Sequence, residues 1–152
     1  MKKFLMAFAL LIGLLSFQPN AHANPYPDYL NGDSDYVCTD GHMGTAWYMK
    51  KSSRRVEQDS PPIYVISVSV YTVNNADRGN TSYREVQTMR FRYDWDRRAM
   101  YVQSNNGWRY LDPNGSWAQT GVAMPTGEMV FYVASGEKFY GTFGYEFYRR
   151  AD

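Results

Sequence analysis

Cys38 and His42 stand four residues apart, close enough in sequence to suggest a metal pair or a nucleophile beside its base. A closed zinc site takes about four ligands, and beyond residue 23 the chain holds one cysteine and one histidine, so carboxylates would have to supply the rest. A thiol enzyme needs its histidine held across from the cysteine by the fold, which four residues of loop do not guarantee. Asp33-Ser34-Asp35 opens like a calcium loop, but Gly44 fills the twelfth position, where a bidentate Glu is required. An exposed acidic turn is the better reading there. No Gly-x-Ser-x-Gly elbow, phosphate loop or His-Glu-x-x-His motif occurs. No catalytic residue, metal ligand or cofactor is therefore assigned. Any two of the 15 acidic residues are free to meet in the fold as a hydrolytic pair, although spacing singles out none.

The remaining chemistry lies in rings and arginines. The chain has 14 tyrosines, four tryptophans and eight phenylalanines. Tyrosine joins a large apolar body to a polar tip, and suits half-buried sheet faces, sugar platforms and protein interfaces alike. Tyr101, Trp108, Tyr110 and Trp117 cluster in sequence and form the candidate ligand-binding set. Arg90, Arg92, Arg97 and Arg98 gather around one hairpin with Asp94 and Asp96 between them. Ion pairing across a strand face with Asp94 explains them most simply; a site for an anionic polymer or lipid headgroup is the alternative.

These residues sit behind a leader-like segment. Lys2 and Lys3 precede the uncharged run Phe4 to Phe17, Pro19 breaks it, and Ala21-His22-Ala23 places small residues where signal peptidase reads. The run is too short to span a membrane, which takes about 20 residues. Residues 1–23 are expected to be a signal peptide, and the mature chain to be extracytoplasmic, periplasmic or secreted, with no membrane span. Taking Lys2 and Lys3 from a formal charge of +1 leaves about −1, and no basic stripe points to nucleic acid. A lone cysteine makes no internal disulfide, so Cys38 is either buried and inert or paired with another chain.

The elements that position the candidates read as mostly β. Residues 24–44 form an irregular N-terminal segment rich in Pro, Asp and Ser; residues 45–152 form a single β-rich domain. Residues 45–50 make a short strand, and the polar stretch 51–60 has room for a second before Pro61-Pro62. Over 63–73, β-branched and aromatic residues alternate around one apolar face. Over 83–95, Met89, Phe91, Tyr93 and Trp95 point one way and Thr88, Arg90, Arg92 and Asp94 the other. Residues 99–104 return to Asn105-Asn106-Gly107, where Asn-Gly supplies the positive φ of a hairpin turn, and 108–111 pairs back. Pro125 to Ser135 is expected to be a helix packed on the apolar sheet face, although 129–133 would serve equally as a strand. Residues 139–148 read as a final strand. The fold class is α+β: an antiparallel meander of about five to seven strands with one helix in the C-terminal half.

Asn106-Gly107, Trp108, Tyr110-Leu111, Asn114-Gly115 and Thr120-Gly121 resemble one repeat of the choline-binding or glucan-binding cell-wall repeats. Arg109 stands where that family usually has an aromatic, Trp117 where an aliphatic is common, and only one copy is present. The resemblance implies rings that cage a quaternary ammonium. As a whole the chain resembles small secreted bacterial proteins of no assigned function. Ala46-Trp47-Tyr48, the strand from Ile63 and Phe91-Arg92-Tyr93-Asp94 are similar to the surface-adhesin E-like domain. That likeness implies an extracytoplasmic antiparallel sheet used for binding. The expected function is thus non-enzymatic binding of a protein or cell-envelope component through aromatic contacts. A carbohydrate or cell-wall module is the alternative, and a hydrolase with an acidic pair the second alternative. A small outer-membrane barrel would suit the alternation over 83–95, but the chain shows too few strands of about ten residues.

Overall fold

The structure, a computed structural model, describes residues 24–152; the expected signal peptide, 1–23, lies outside them. Seven antiparallel strands make one sheet: β1 (Tyr36–His42), β2 (Thr45–Lys50), β3 (Arg55–Ser60), β4 (Ile63–Val73), β5 (Glu85–Asp94), β6 (Ala99–Ser104) and β7 (Gly107–Leu111). Three short α-helical segments follow: α1 (Trp117–Thr120), α2 (Ala123–Ser135) and α3 (Tyr145–Tyr148). The strand order is β1-β2-β4-β5-β6-β7. Long β4 takes two partners on one edge, β3 along Ile63 to Ser67 and β2 along Val70 to Val73, while β5 runs along the other edge. The α+β meander with one main helix is the architecture that the alternating sequence predicts.

The two faces of the sheet are covered differently. On the inner face Met49, Ile66, Val68, Val70, Phe91, Tyr93, Met100, Val102 and Leu111 pack against α2. These positions follow the period of two that sends alternate side chains to one side of a strand. Gly127 lets the helix come close, since a Cβ there would strike the Met100 sulfur and lie 2.9 Å from the Phe91 ring. Tyr93 closes the contact by donating its hydroxyl to the Gly127 carbonyl at 2.7 Å. Pro125 is tolerated because it falls in the first helical turn, and Gly136 at φ 75° stops the helix by donating its N–H to Tyr132 O.

Residues 139–148 are not a strand. The backbone N–H groups of Tyr140 and Gly141 donate to the Glu128 carboxylate at 2.9 and 3.0 Å, not to a neighbouring strand. The segment turns over the far side of α2 and ends in α3. This cover explains why α2 is buried from Ala123 to Phe131 on every side.

The segment read as irregular, 24–44, also contains a strand. β1 pairs with β2 from Tyr36↔Lys50 to His42↔Thr45, with an irregularity between Cys38 and Asp40. The stretch before it folds over the outer face at the β1–β2 end. There Leu30, Cys38, Ala46, Tyr48, Val73 and Ala76 make a second, smaller core with Tyr26, Tyr36 and Tyr71 around it. Gly41 has no side chain because the Tyr26 ring fills the space a Cβ would need. Asp28 pins this cap to the other end of the chain, pairing with Arg149 at 3.2 Å and Arg150 at 2.9 Å. Cys38 is buried and free, and burial pushes its thiol pKa up to about 12.

Among the described residues no helix is long and apolar enough to cross a membrane.

Candidate functional site

The N-terminal cap covers only part of the outer face; over β5, β6 and β7 the face is open. The two-residue period fixes what it displays. Phe91, Val102 and Met100 point inward, so Arg90, Arg92, Tyr101 and Gln103 point outward. The Asn105-Asn106-Gly107 turn sets β7 in register, with Tyr101 opposite Tyr110 and Gln103 opposite Trp108. Trp108 and Tyr110 therefore join the same face, at 37% and 49% exposure, while Leu111 pairs with Met100 inside.

Two rows of contacts cross this face. The Arg92 guanidinium lies 5.5 Å from the Tyr101 ring centre, and Tyr101 lies 5.6 Å from Tyr110 with the rings inclined by 57°. The Arg90 guanidinium lies 5.4 Å from the Trp108 ring. An exposed cation over a ring is worth about 0.5–1 kcal/mol, enough to bias each side chain toward one orientation. Arg90 is also ion-paired with Glu57 of β3. That hydrogen bond from Arg90 is the chief reason the Glu57 pKa is lowered, with further help from Ser67 and Arg55. Arg92 makes no ion pair among the described residues. Beneath the hairpin, Tyr140 holds β6 and β7 together: its hydroxyl accepts from Met100 N–H at 2.8 Å and donates to Leu111 O at 2.9 Å. Burial raises its pKa.

Trp117 does not join the other three rings. It lies on α1, where Ser116 and Gln119 form a capping box, and it is stacked on His42 at 3.8 Å with an interplanar angle of 16°. Its indole N–H donates to Asp40 at 2.7 Å, and Trp47 lies 6.3 Å away. The candidate set thus divides into Tyr101, Trp108 and Tyr110 on the outer face and Trp117 at the β1 end. His42 is a stacking partner here and not a neighbour of the buried Cys38 thiol.

The arginines read as partners of Asp94 find other contacts. Arg90 takes Glu57, and Arg92 faces Tyr101. Arg98 lies 3.5 Å over the Trp95 ring and donates to Phe139 O; only Arg97 approaches Asp94, at 3.8 Å. Sequence reasoning missed Glu57 because β3 and β5 meet only through β4. Two carboxyl groups show a clear shift. Glu57 is lowered; at Asp35 burial is the largest single influence and raises the pKa, but bonds from Ser52 with nearby Lys50 and Lys51 together outweigh it and lower it. A general acid needs the opposite direction. Among the described residues no group of three His, Cys, Asp or Glu side chains is placed to hold a metal ion.

The chain matches no protein-family model, no curated protein and no solved structure.

Proposed function

We propose that the protein is a non-enzymatic binding protein acting outside the cytoplasm, which meets a cell-envelope component through the outer face of β5, β6 and β7. The observation that carries this reading is the open face itself, on which Trp108 and Tyr110 stand exposed and Tyr101 half-buried, beside Arg90 and Arg92. Rings and arginines are the side chains that contribute most per residue to binding surfaces. The leader-like residues 1–23 support export. A glycan is the second reading for the partner. It is favoured by Tyr101 and Tyr110, adjacent on one sheet face with their rings inclined by 57°, large apolar bodies with polar tips of the kind a sugar ring can rest against.

Co-sedimentation of the purified protein with cell-envelope fragments tests the proposal. The protein should pellet with one class of fragment, and a Trp108→Ala/Tyr110→Ala variant that still unfolds cooperatively should stay in solution. Equal sedimentation of both proteins would remove the outer face from the binding event. Competition by soluble oligosaccharides would separate a glycan from a protein partner.

A further inference from the structure

A pocket of about 500 Å³ opens on the inner side of the sheet, between β3, β4 and the C-terminal end of α2. This volume lies in the range of about 300–1,000 Å³ typical of small-molecule sites. Its floor and walls are Ile66 and Tyr64 of β4, Trp95 after β5, and Phe131 of α2. Phe131 meets Tyr64 edge-on at 6.0 Å and stacks on Trp95 at 5.5 Å, so the rings hold one another in place. The rim carries Asp59 of β3, cross-strand partner of Tyr64, and Glu137 just past the helix end.

Neither rim carboxylate pairs with a basic side chain among the described residues. The nearby cations are committed elsewhere. Arg54 donates to Val133 O, Arg98 donates to Phe139 O, and Lys138 lies over the Tyr148 ring. None of the three lines the pocket. A pocket with aromatic walls on one side and two unpaired acids at its mouth complements one ligand chemistry: a positive charge carried on an apolar body.

We propose that this pocket binds an organic ammonium cation, its apolar body seated against Tyr64, Ile66, Trp95 and Phe131 and its charge facing Asp59 and Glu137. The site lies on the opposite side of the sheet from the arginine and aromatic face, and it stands or falls separately from the envelope-binding reading.

Calorimetric titration of the purified protein with benzyltrimethylammonium, benzyl alcohol and benzoate tests it. The cation should bind saturably, and the neutral and anionic probes roughly tenfold or more weakly. Asp59→Asn/Glu137→Gln, both at exposed positions, should weaken cation binding about tenfold with thermal unfolding unchanged. Trp108→Ala should bind the cation as wild type does. Absence of saturable binding, equal binding of the alcohol, or an undiminished double variant would each overturn the proposal.

Discussion

Tyr148 donates its hydroxyl to the Glu128 carboxylate at 2.7 Å, with both side chains buried. Together with the N–H groups of Tyr140 and Gly141, this gives a fully buried carboxylate three donors. Burial and the neighbouring Glu128 raise the Tyr148 pKa. Glu128 thus organises the cover over α2, and through Tyr140 it reaches the β6–β7 hairpin that carries the candidate site.

Glu128→Gln should therefore cost about 2–4 kcal/mol, because an amide replaces one acceptor with a donor facing other donors. Tyr148→Phe, which removes a single bond, should cost about 1 kcal/mol. Urea unfolding of the two variants checks the order; a smaller loss for Glu128→Gln would refute the organising role.

Gly127→Ala sets two effects against each other. Alanine favours a helix by about 1 kcal/mol over glycine, but its methyl group would meet Met100 and Phe91. Overpacking of this kind costs about 1–3 kcal/mol, so the variant should unfold at lower denaturant.

Glu57 gives a pH signature. Its pKa in the fold lies below its ordinary 4.5, so the Arg90 pair contributes stability above that value and loses it as pH falls through the lowered one. Glu57→Gln should cost about 0.5 kcal/mol at neutral pH and nothing in strong acid. Trp108 fluorescence should change over the same acid range as Arg90 is released from its partner.

Trp117 and Trp108 should each make a small contribution to stability, measurable by urea unfolding, from different contacts. Trp117→Phe keeps a ring for His42 but leaves Asp40 with only the Gly41 N–H as donor, and should cost about 1 kcal/mol. Trp108→Ala removes a ring of 37% exposure and should change stability by about 0.5–1 kcal/mol, the worth of its contact with Arg90.

Cys38 should resist thiol reagents in the native protein, since burial raises its pKa to about 12 and the thiolate is the reactive form. One thiol per chain should become reactive on unfolding. Fast labelling of the native protein would mean that the N-terminal cap opens readily.

The elements legible in sequence were those with local causes. Alternation over 63–73 and 83–95 and the Asn-Gly turn were enough to place β4, β5 and the β6–β7 hairpin, and with them the shared face of Tyr101, Trp108 and Tyr110. The helix expected over 125–135 spans 123–135. Contacts distant in sequence were not legible. β1 is short and interrupted, and is fixed by its register with β2; residues 139–148 have strand-like composition, but their backbone is claimed by Glu128. Trp117 is separated from its neighbours in sequence by a stack on His42 that no local pattern announces.

The pairing of Asp28 with Arg149 and Arg150 also acts as a clasp between segments far apart in sequence. Arg150 also donates to the Cys38 carbonyl at 3.1 Å, so the clasp grips both the cap and the strand beneath it. The cap has holds of its own, the Cys38 N–H on Asp28 O and the Gly44 N–H on the Tyr26 hydroxyl. Loss of the two arginines would therefore loosen one side of the cap and leave the sheet ladder beneath it intact.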